Sequence, residues 1–249
     1  MSQETAEGVV LRGVDFSETS RIVTLLTPNR GKLACLAKGA RRKNSRLGPV
    51  LDTFNRVELI YYWKEGRQVQ NLAEASLLDA YTPLKQDLER SAYAGFPLEL
   101  AYKVAHENEP SRVIYDVLTQ GLAGLCAWTG EVRAHACWQV MRLICAAGFA
   151  PVMDACVHCG AEVPASPGFS YDGGVTCGRC RADRRLSPAA WAALQALGVA
   201  EAACPRVAVP AEVFHVLRFY ASRHAETEFK SARVIEEMFG GRWSENSTA

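Results

Sequence analysis

The sequence predicts an α+β protein of more than one domain, in which a five-stranded OB-fold β-barrel precedes an α-helical domain with a four-cysteine insert. Five short segments rich in Val, Ile, Leu and Tyr lie in the first 80 residues. Helix-length apolar patterns follow, and two Cys-x-x-Cys pairs interrupt them. We therefore expect domains at residues 1–80 and 81–249, with the insert at about 150–185.

The predicted strands are separated by turn-prone pieces. In chain order they are EGVVLRGV, SRIVTLLT, KLACLA, NRVELIYYW and RQVQNLAEA. The clearest hairpin turn is TPNRG at residues 27–31, where Pro28 suits the second turn position and Asn29 or Gly31 accepts a positive φ. Only a short helical turn near residues 48–54 interrupts the pattern. An OB-fold fits this size and content first, and an SH3-like barrel second.

After residue 80 the periodicity becomes helical. Cap residues and prolines predict where the helices begin. These starts lie at Thr82-Pro83, Pro97, Ser111, Ser187-Pro188, Pro210 and about Ser231. A further helix, VRAHACWQVMRLICAAG, ends at Gly148, and the polar tail GGRWSENSTA is expected to fray.

The charge is divided unevenly along a chain whose formal net charge is only +1. Residues 1–70 hold 12 Lys and Arg against 7 Asp and Glu, whereas residues 71–249 hold 16 against 20. A basic front on a mildly acidic body indicates that the front contacts a polyanion. There is neither a signal peptide nor an apolar run of about 18 residues, so we expect a cytoplasmic protein.

The nine cysteines do not indicate a disulfide framework, because their number is odd and no export signal accompanies them. Four of them form the pairs Cys156/Cys159 and Cys177/Cys180, separated by residues 160–176. This spacing lets four thiolates converge on one tetrahedral Zn²⁺ ion, with His158 as a weaker alternative ligand. Four thiolates leave no open position, so we expect a structural zinc knob without catalysis. The remaining five sit singly in apolar contexts, where burial is expected: Cys35, Cys126, Cys137, Cys145 and Cys204.

Arginines surround the second cysteine pair. They are Arg179, Arg181, Arg184 and Arg185. Contact with phosphate and a solvated surface are equally consistent with this cluster. Both interpretations stay open at the level of sequence.

The segment KGARRKNSR, residues 38–46, lies between the third and fourth predicted strands and carries five cationic side chains. They are Lys38, Arg41, Arg42, Lys43 and Arg46. A solvated surface loop is the plain interpretation, but loops of OB barrels commonly contact single-stranded nucleic acid. We therefore predict binding to single- and double-stranded nucleic acid with little base preference and steep salt dependence.

Neighbouring strands supply further candidates for the same surface. Arg21, Arg30 and Lys32 are expected to extend the basic patch. Base stacking requires aromatic rings, and the run Tyr61, Tyr62 and Trp63 provides them, although strand alternation turns at least one ring into the core.

An enzyme is not expected, because paired carboxylates beside a His, an activated Ser and a Gly-rich phosphate loop are all missing from the sequence. Two other classes remain open. A barrel with a zinc ribbon is also typical of RNA-binding proteins associated with the ribosome or transcription. A pure interaction scaffold would bind no DNA even at low salt.

The order of these features resembles the RecO family of bacterial recombinational repair proteins. The resemblance is carried by GVVLRGVDFSETSRIVTLLTPNRGKL, AKGARRKNSR, the four-cysteine insert and FKSAR near the C-terminus. Its most specific part is TPNRGKLACLAKGARRKNSR.

The resemblance implies a non-enzymatic mediator of the RecF pathway. Such a protein binds DNA, anneals complementary strands and works with RecR. It helps RecA load onto DNA covered by the single-stranded-DNA-binding protein, SSB. The resemblance assigns DNA binding to the five cations of residues 38–46 and zinc to the four paired cysteines. It also implies DNA or partner contacts at Lys230 and Arg233.

Overall fold

A computed structural model of the chain describes residues 2–240. Nine C-terminal residues, 241–249, lie outside the described part, and with them most of the tail that was expected to fray. Among the described residues, no helix combines the length and apolarity that crossing a membrane requires.

Five strands close into a barrel. They are β1 (Ser2–Asp15), β2 (Arg21–Thr27), β3 (Gly31–Ala37), β4 (Arg56–Trp63) and β5 (Val69–Asp79). Their order is β1-β2-β3-β5-β4, and β1 also pairs with β4. Only the β3–β5 pair is parallel, and a short helix, α1 (Leu47–Val50), lies between β3 and β4. This topology confirms the predicted OB-fold rather than an SH3-like barrel.

Alternation along the strands builds the barrel core. In β3, Leu33, Cys35 and Ala37 are at most 2% exposed, while the residues between them are half-buried. Leu51 follows α1 and joins the same core with 1% exposure. Side chains of period two therefore fill the interior, and α1 covers part of it.

The short helix α1 is held in place by a buried amide. Asn55 donates from Nδ2 to the carbonyl oxygens of Pro49 and Val50, each at 2.9 Å. Lys85 Nζ in turn donates to Asn55 Oδ1 over 2.6 Å. Because α1 directly follows residues 38–46, these bonds fix where the basic segment ends.

Helices make up most of the remaining chain. They are α2 (Thr82–Gln86), α3 (Leu88–Val104), α4 (Arg112–Ala127), α5 (Val132–Ala146), α6 (Pro188–Val199), α7 (Ala211–His224) and α8 (Lys230–Phe239). The start predicted at Ser187-Pro188 is confirmed, because Ser187 Oγ accepts a hydrogen bond from the backbone N–H of Ala190 at 3.2 Å. The end predicted at Gly148 is also confirmed to within two residues.

The helix start predicted at Pro97 is wrong, since α3 continues through it. A proline inside a helix removes one intrahelical hydrogen bond and disfavours the preceding turn. Here the neighbouring side chains of Phe96, Leu98 and Leu100 are at most 5% exposed. Burial of these side chains on more than one side of the helix compensates for the lost bond, so tertiary packing overrides the local signal.

The described chain divides into two compact units. The first runs up to Gln86 and includes Ala101–Cys126, and the second contains Asp87–Leu100 and the residues from Ala127 onward. The predicted domain boundary at residue 80 marks the change from strands to helices and not this division. Within the first unit, Tyr115 donates its hydroxyl to Glu7, and the backbone N–H of Lys32 donates to His106 O at 2.9 Å. Helical residues 101–126 therefore pack with the barrel.

The cysteine insert belongs to the second unit and contains a small sheet. Its strands are β6 (Gly168–Ser170), β7 (Gly174–Thr176) and β8 (Arg184–Arg185), in the order β7-β6-β8. Phe169 and Val175 are almost fully buried, and the Phe169 ring meets Tyr220 of α7 edge-on at a centroid distance of 5.7 Å. The insert thus has an apolar anchor as well as its cysteines.

Candidate nucleic-acid interface and metal centre

Residues 38–46, called the basic loop from here on, present all their predicted cations to solvent. Four of them make no ion pair anywhere in residues 2–240: Lys38, Arg42, Lys43 and Arg46. Unpaired guanidinium and ammonium groups retain their full hydration and charge. They are therefore free to neutralise phosphates.

Arg41 differs from its neighbours because it ties the basic loop to the β1–β2 loop, residues 16–20. Its Nε lies 3.1 Å from Asp15 Oδ2, and its Nη1 donates to Ser17 O at 2.7 Å. Its backbone N–H donates to Thr19 O at 3.0 Å. Exposed ion pairs contribute little to stability, so the main effect of these contacts is to position the loop.

Tight turns shape the rest of the basic loop. Gly39 has φ +73°, a left-handed conformation that favours glycine, and the backbone N–H of Arg42 donates to its carbonyl at 3.1 Å. The N–H of Ser45 then donates to Arg42 O at 2.9 Å. Ala40 is only 6% exposed and joins the barrel core. The backbone of the loop is thus anchored while its cations remain exposed.

Of the three cations expected to extend the patch, only Arg21 lies beside the basic loop. It pairs with Ala37 in the β2–β3 register, and its Nε lies 3.2 Å from Asp15 Oδ1. Arg30 and Lys32 lie at the opposite end of β3, a strand of 7 residues. That length separates them from Lys38 by about 20 Å.

Arg30 and Lys32 also have partners of their own. Arg30 forms two hydrogen bonds with the Glu4 carboxylate, at 2.8 and 3.0 Å, and its guanidinium lies 4.0 Å from the Trp63 ring centroid. The Lys32 ammonium lies 4.9 Å from the centroid of Tyr102. These contacts support packing of the first unit. DNA contact by Lys32 stays a prediction, whereas for Arg30 the pairing with Glu4 favours a structural role over the predicted DNA contact.

The aromatic run of β4 is only partly available for stacking. Tyr61 is 1% exposed and donates its hydroxyl to Glu4 at 2.9 Å, and burial raises its pKa to about 12. Trp63 lies under Arg30, which leaves Tyr62 as the exposed ring of the three. The expectation that one ring faces the core is therefore confirmed.

Sequence reasoning missed Phe16, which is 62% exposed on the β1–β2 loop. The signal for it was an aromatic residue inside the polar stretch DFSETS. A large apolar side chain in a polar turn has no obvious core to enter.

Lys230 and Arg233 lie on α8, in the second unit. The first residues of α8 are capped by Glu99, whose carboxylate accepts from the backbone N–H of Lys230 at 3.2 Å and of Ser231 at 2.8 Å. Arg233 is exposed and lies 3.9 Å from Glu237. Both cations are accessible, and their contact with DNA or a partner stays a prediction.

The four paired cysteines converge as their spacing predicts. Their sulfur atoms all lie within 4.8 Å of one another, and Cys159 Sγ is 3.7 Å from Cys177 Sγ. Tetrahedral zinc with Zn–S bonds of about 2.3 Å requires sulfur separations of about 3.8 Å. A disulfide would need about 2.05 Å, and all four thiols are free. His158, the alternative ligand, is not part of the cluster within the described residues.

Backbone turns prepare these sulfurs for metal binding. In the first pair, the N–H of Gly160 donates to Cys156 O at 2.8 Å, and Gly160 has φ +70°. Nearby backbone N–H groups, that of Cys177 foremost, lower the pKa of Cys156 to about 6. Those of Arg179 and Cys180 likewise lower the pKa of Cys177. Thiolates are the metal-ligating form, so these amides favour the cation-binding state of Cys156 and Cys177. Without a cation, hydrogen bonds with Cys159 and Cys177 instead raise the pKa of Cys180 to about 12.

Two protein-family models match this chain, and together they span most of its length. The family described as Recombination protein O N terminal matches residues 1–81, and Recombination protein O C terminal matches residues 85–233. The second match includes all four clustered cysteines.

Full-length relatives agree with these matches. The chain is 33% identical over 250 aligned residues to the DNA repair protein RecO of Anaeromyxobacter dehalogenans strain 2CP-C, covering 96% of this chain and 98% of that protein. It is 31% identical over 245 residues to RecO of Thermobifida fusca strain YX, covering 95% and 99%. RecO of Exiguobacterium sibiricum is 35% identical over 179 residues, covering 72% and 70%.

Proposed function

We propose, because the chain belongs to the RecO family of DNA repair proteins, that it is a non-enzymatic recombination mediator of the RecF pathway. It binds single- and double-stranded DNA without sequence specificity and anneals complementary strands. Together with RecR it helps load RecA onto SSB-coated DNA. We place it in the cytoplasm, associated with the nucleoid.

The observation that supports this proposal is the basic loop on the OB barrel. Four exposed, unpaired cations project from an anchored backbone: Lys38, Arg42, Lys43 and Arg46. Each phosphate that they neutralise releases condensed counterions, which drives binding at low salt. Such contacts hold the strand by its backbone and leave the base edges free, so they carry no sequence preference.

Annealing follows from the same chemistry without any bond being made or broken in the DNA. Two complementary strands repel each other through their phosphates, and a cationic surface lowers that repulsion. Base edges that stay exposed can then pair. Duplex stacking of about 1.4 kcal/mol per step drives the reaction to completion.

We also propose that the cysteine cluster holds one structural Zn²⁺ ion. The residues that would hold it are Cys156, Cys159, Cys177 and Cys180. A four-thiolate tetrahedron suits zinc and leaves no position for substrate. The bound ion would hold the two turns together, a role consistent with the short strands around them.

Strand annealing tests the proposed function. Complementary oligonucleotides, naked or coated with SSB, are mixed with the wild type or with a variant carrying K38A, R42A, K43A and R46A. Arg41 is retained because it positions the loop. The wild type should accelerate annealing at low salt, and the variant should lose most of this effect because its phosphate contacts are gone.

A charge-matched control separates the loop from net charge. The substitutions R12A, K64A, R67A and R206A remove four exposed cations that have no ion pair in the described part of the chain. This control should anneal like the wild type. Equal losses in both variants would contradict the proposal that the basic loop binds DNA. Tighter binding to matched RNA than to DNA would favour the RNA-binding alternative.

A further inference from the structure

Phe16 is the most exposed aromatic side chain in the described part of the protein. Its exposed fraction is 62%, against 37–40% for the three other aromatic side chains that stand out from the surface, Tyr62, Phe149 and Phe219. The exposed ring gains little from folding, whereas a ligand that covers it would bury apolar surface. Phe16 is therefore a candidate ligand contact, and its surroundings indicate the kind of ligand.

The loop that carries Phe16 is closed by its own hydrogen bonds. The backbone N–H groups of Phe16 and Ser17 both donate to Ser20 O, at 3.0 and 3.3 Å. The N–H of Ser20 donates back to Ser17 Oγ at 3.2 Å. A ligand that meets the ring thus meets a preformed turn, and binding need not order the backbone.

The turn that carries Phe16 is held against the basic loop. Arg41 contacts both sequence neighbours of Phe16, through the Asp15 carboxylate at 3.1 Å and the Ser17 carbonyl at 2.7 Å. The Asp15 carboxylate is shared with Arg21, so its charge is compensated, and Glu18 is the remaining acid of the turn. The Phe16 turn therefore lies against the basic loop, whose other four cations give this surface its positive excess.

From this juxtaposition we infer that Phe16 is a stacking platform for one unpaired base of a DNA strand whose phosphates the basic loop holds. An aromatic face accepts any base, because every base has a π-face. A duplex keeps its bases stacked on each other and cannot offer one without opening. The ring therefore gives the protein a preference for single strands that the cations alone do not provide.

This inference rests on the proposed function, because it requires that the basic loop binds DNA. Its occupant is an unpaired base and not a protein, since the surrounding surface is cationic and complementary to phosphate. Phe16 is a stronger stacking candidate than the aromatic run of β4, because Tyr61 is buried, Trp63 is covered and Tyr62 is only 37% exposed.

The test measures the affinity of F16A and F16W for three labelled probes by fluorescence anisotropy. The probes are a thymidine 15-mer, an abasic phosphodiester chain of equal length and a 15-bp duplex. F16A should bind the 15-mer about tenfold more weakly, as expected for one lost stacking contact. It should bind the other two probes within about twofold of the wild type, and F16W should retain tight binding to the 15-mer.

The matched control is V14A, which shortens another exposed apolar side chain next to the same turn without removing a ring. It should bind every probe like the wild type. If F16A binds the 15-mer as the wild type does while the four-site basic-loop variant is weakened, the stacking inference is wrong and the proposed function stands. If the wild type binds none of the probes at low salt, the proposed function itself fails.

Discussion

Arg41 Nε lies 3.1 Å from one oxygen of the Asp15 carboxylate, and Arg21 Nε lies 3.2 Å from the other. One carboxylate at the end of β1 therefore holds a guanidinium from β2 and a guanidinium from the basic loop. The arginines of the loop are thus of two kinds, because Arg41 is already paired and Arg42 is not.

The salt dependence of DNA binding should distinguish these two arginines. For a single strand, each phosphate contact contributes about 0.7 to the slope of log Kobs against log salt. R42A should reduce the slope by about this amount, while R41A should change it by less, because the Asp15 carboxylate that Arg41 shares with Arg21 partly neutralises its charge. Binding titrations at salt concentrations from about 50 to about 200 mM provide the measurement. A smaller slope change for R42A than for R41A would show that the pairing does not decide which cation meets phosphate.

Arg30 should contribute to barrel stability rather than to DNA affinity. Its guanidinium and the Tyr61 hydroxyl both donate to the Glu4 carboxylate, which is only about one quarter exposed. E4A leaves two donors without their acceptor and should lower the free energy of unfolding by about 1–3 kcal/mol. R30A should also be destabilised in urea denaturation.

The DNA affinity of R30A should be close to that of the wild type. R30A should bind a single-stranded oligonucleotide within about twofold of the wild type, because its charge is paired and it lies far from the basic loop. R42A serves as the positive control. A loss in R30A as large as that in R42A would extend the DNA-binding surface along β3.

Metal content should depend on the clustered cysteines and not on the single ones. The reduced protein should contain one zinc ion per chain by elemental analysis, and C177S should lose it. C204S, which changes another buried cysteine outside the cluster, should keep it. Removal of the metal by a chelator should lower the melting temperature, because the short strands β6 to β8 depend on the ion for part of their order.

Loss of the metal should have little effect on DNA binding. Because the cluster and the basic loop lie in different compact units, metal loss should leave the affinity for a single-stranded oligonucleotide within about twofold. A larger loss would mean that the zinc knob itself contributes phosphate contacts, for which the exposed Arg179, Arg181 and Arg185 are the candidates.

His135 should make stability depend on pH below neutrality. It is 2% exposed between the rings of Trp128 and Trp138, and burial, aided by the charge of Arg90, lowers its pKa to about 4. Between about pH 6.5 and 4 the unfolded chain binds a proton that the folded chain does not, so stability falls as the pH falls. The contribution lost across this window is about 3 kcal/mol.

Urea denaturation at several pH values checks this dependence. H135F should remove the part of the slope between pH 4 and 6.5, since it keeps an aromatic ring and abolishes the titration. An unaltered slope in H135F would assign the acid sensitivity to other groups.

The strands were predictable because their side chains alternate on a closed, half-buried surface. All five fall where the β patterns lie, and the convergence of four cysteines follows from the geometry of two tight turns. Pro97 was not predictable from its local signal, since the burial of its neighbours outweighs the lost hydrogen bond.

The sequence by itself determined the five barrel strands and their order, the change to helices after them, the four-cysteine cluster and the place of the basic loop in the chain. Local patterns suffice for these features, because periodicity and spacing act over a few residues. Only the tertiary structure decided which charges are free. It paired Arg30 with Glu4, divided Asp15 between Arg21 and Arg41, buried Tyr61 and left Phe16 exposed. Those outcomes depend on contacts between segments far apart in the chain, which the linear pattern does not specify.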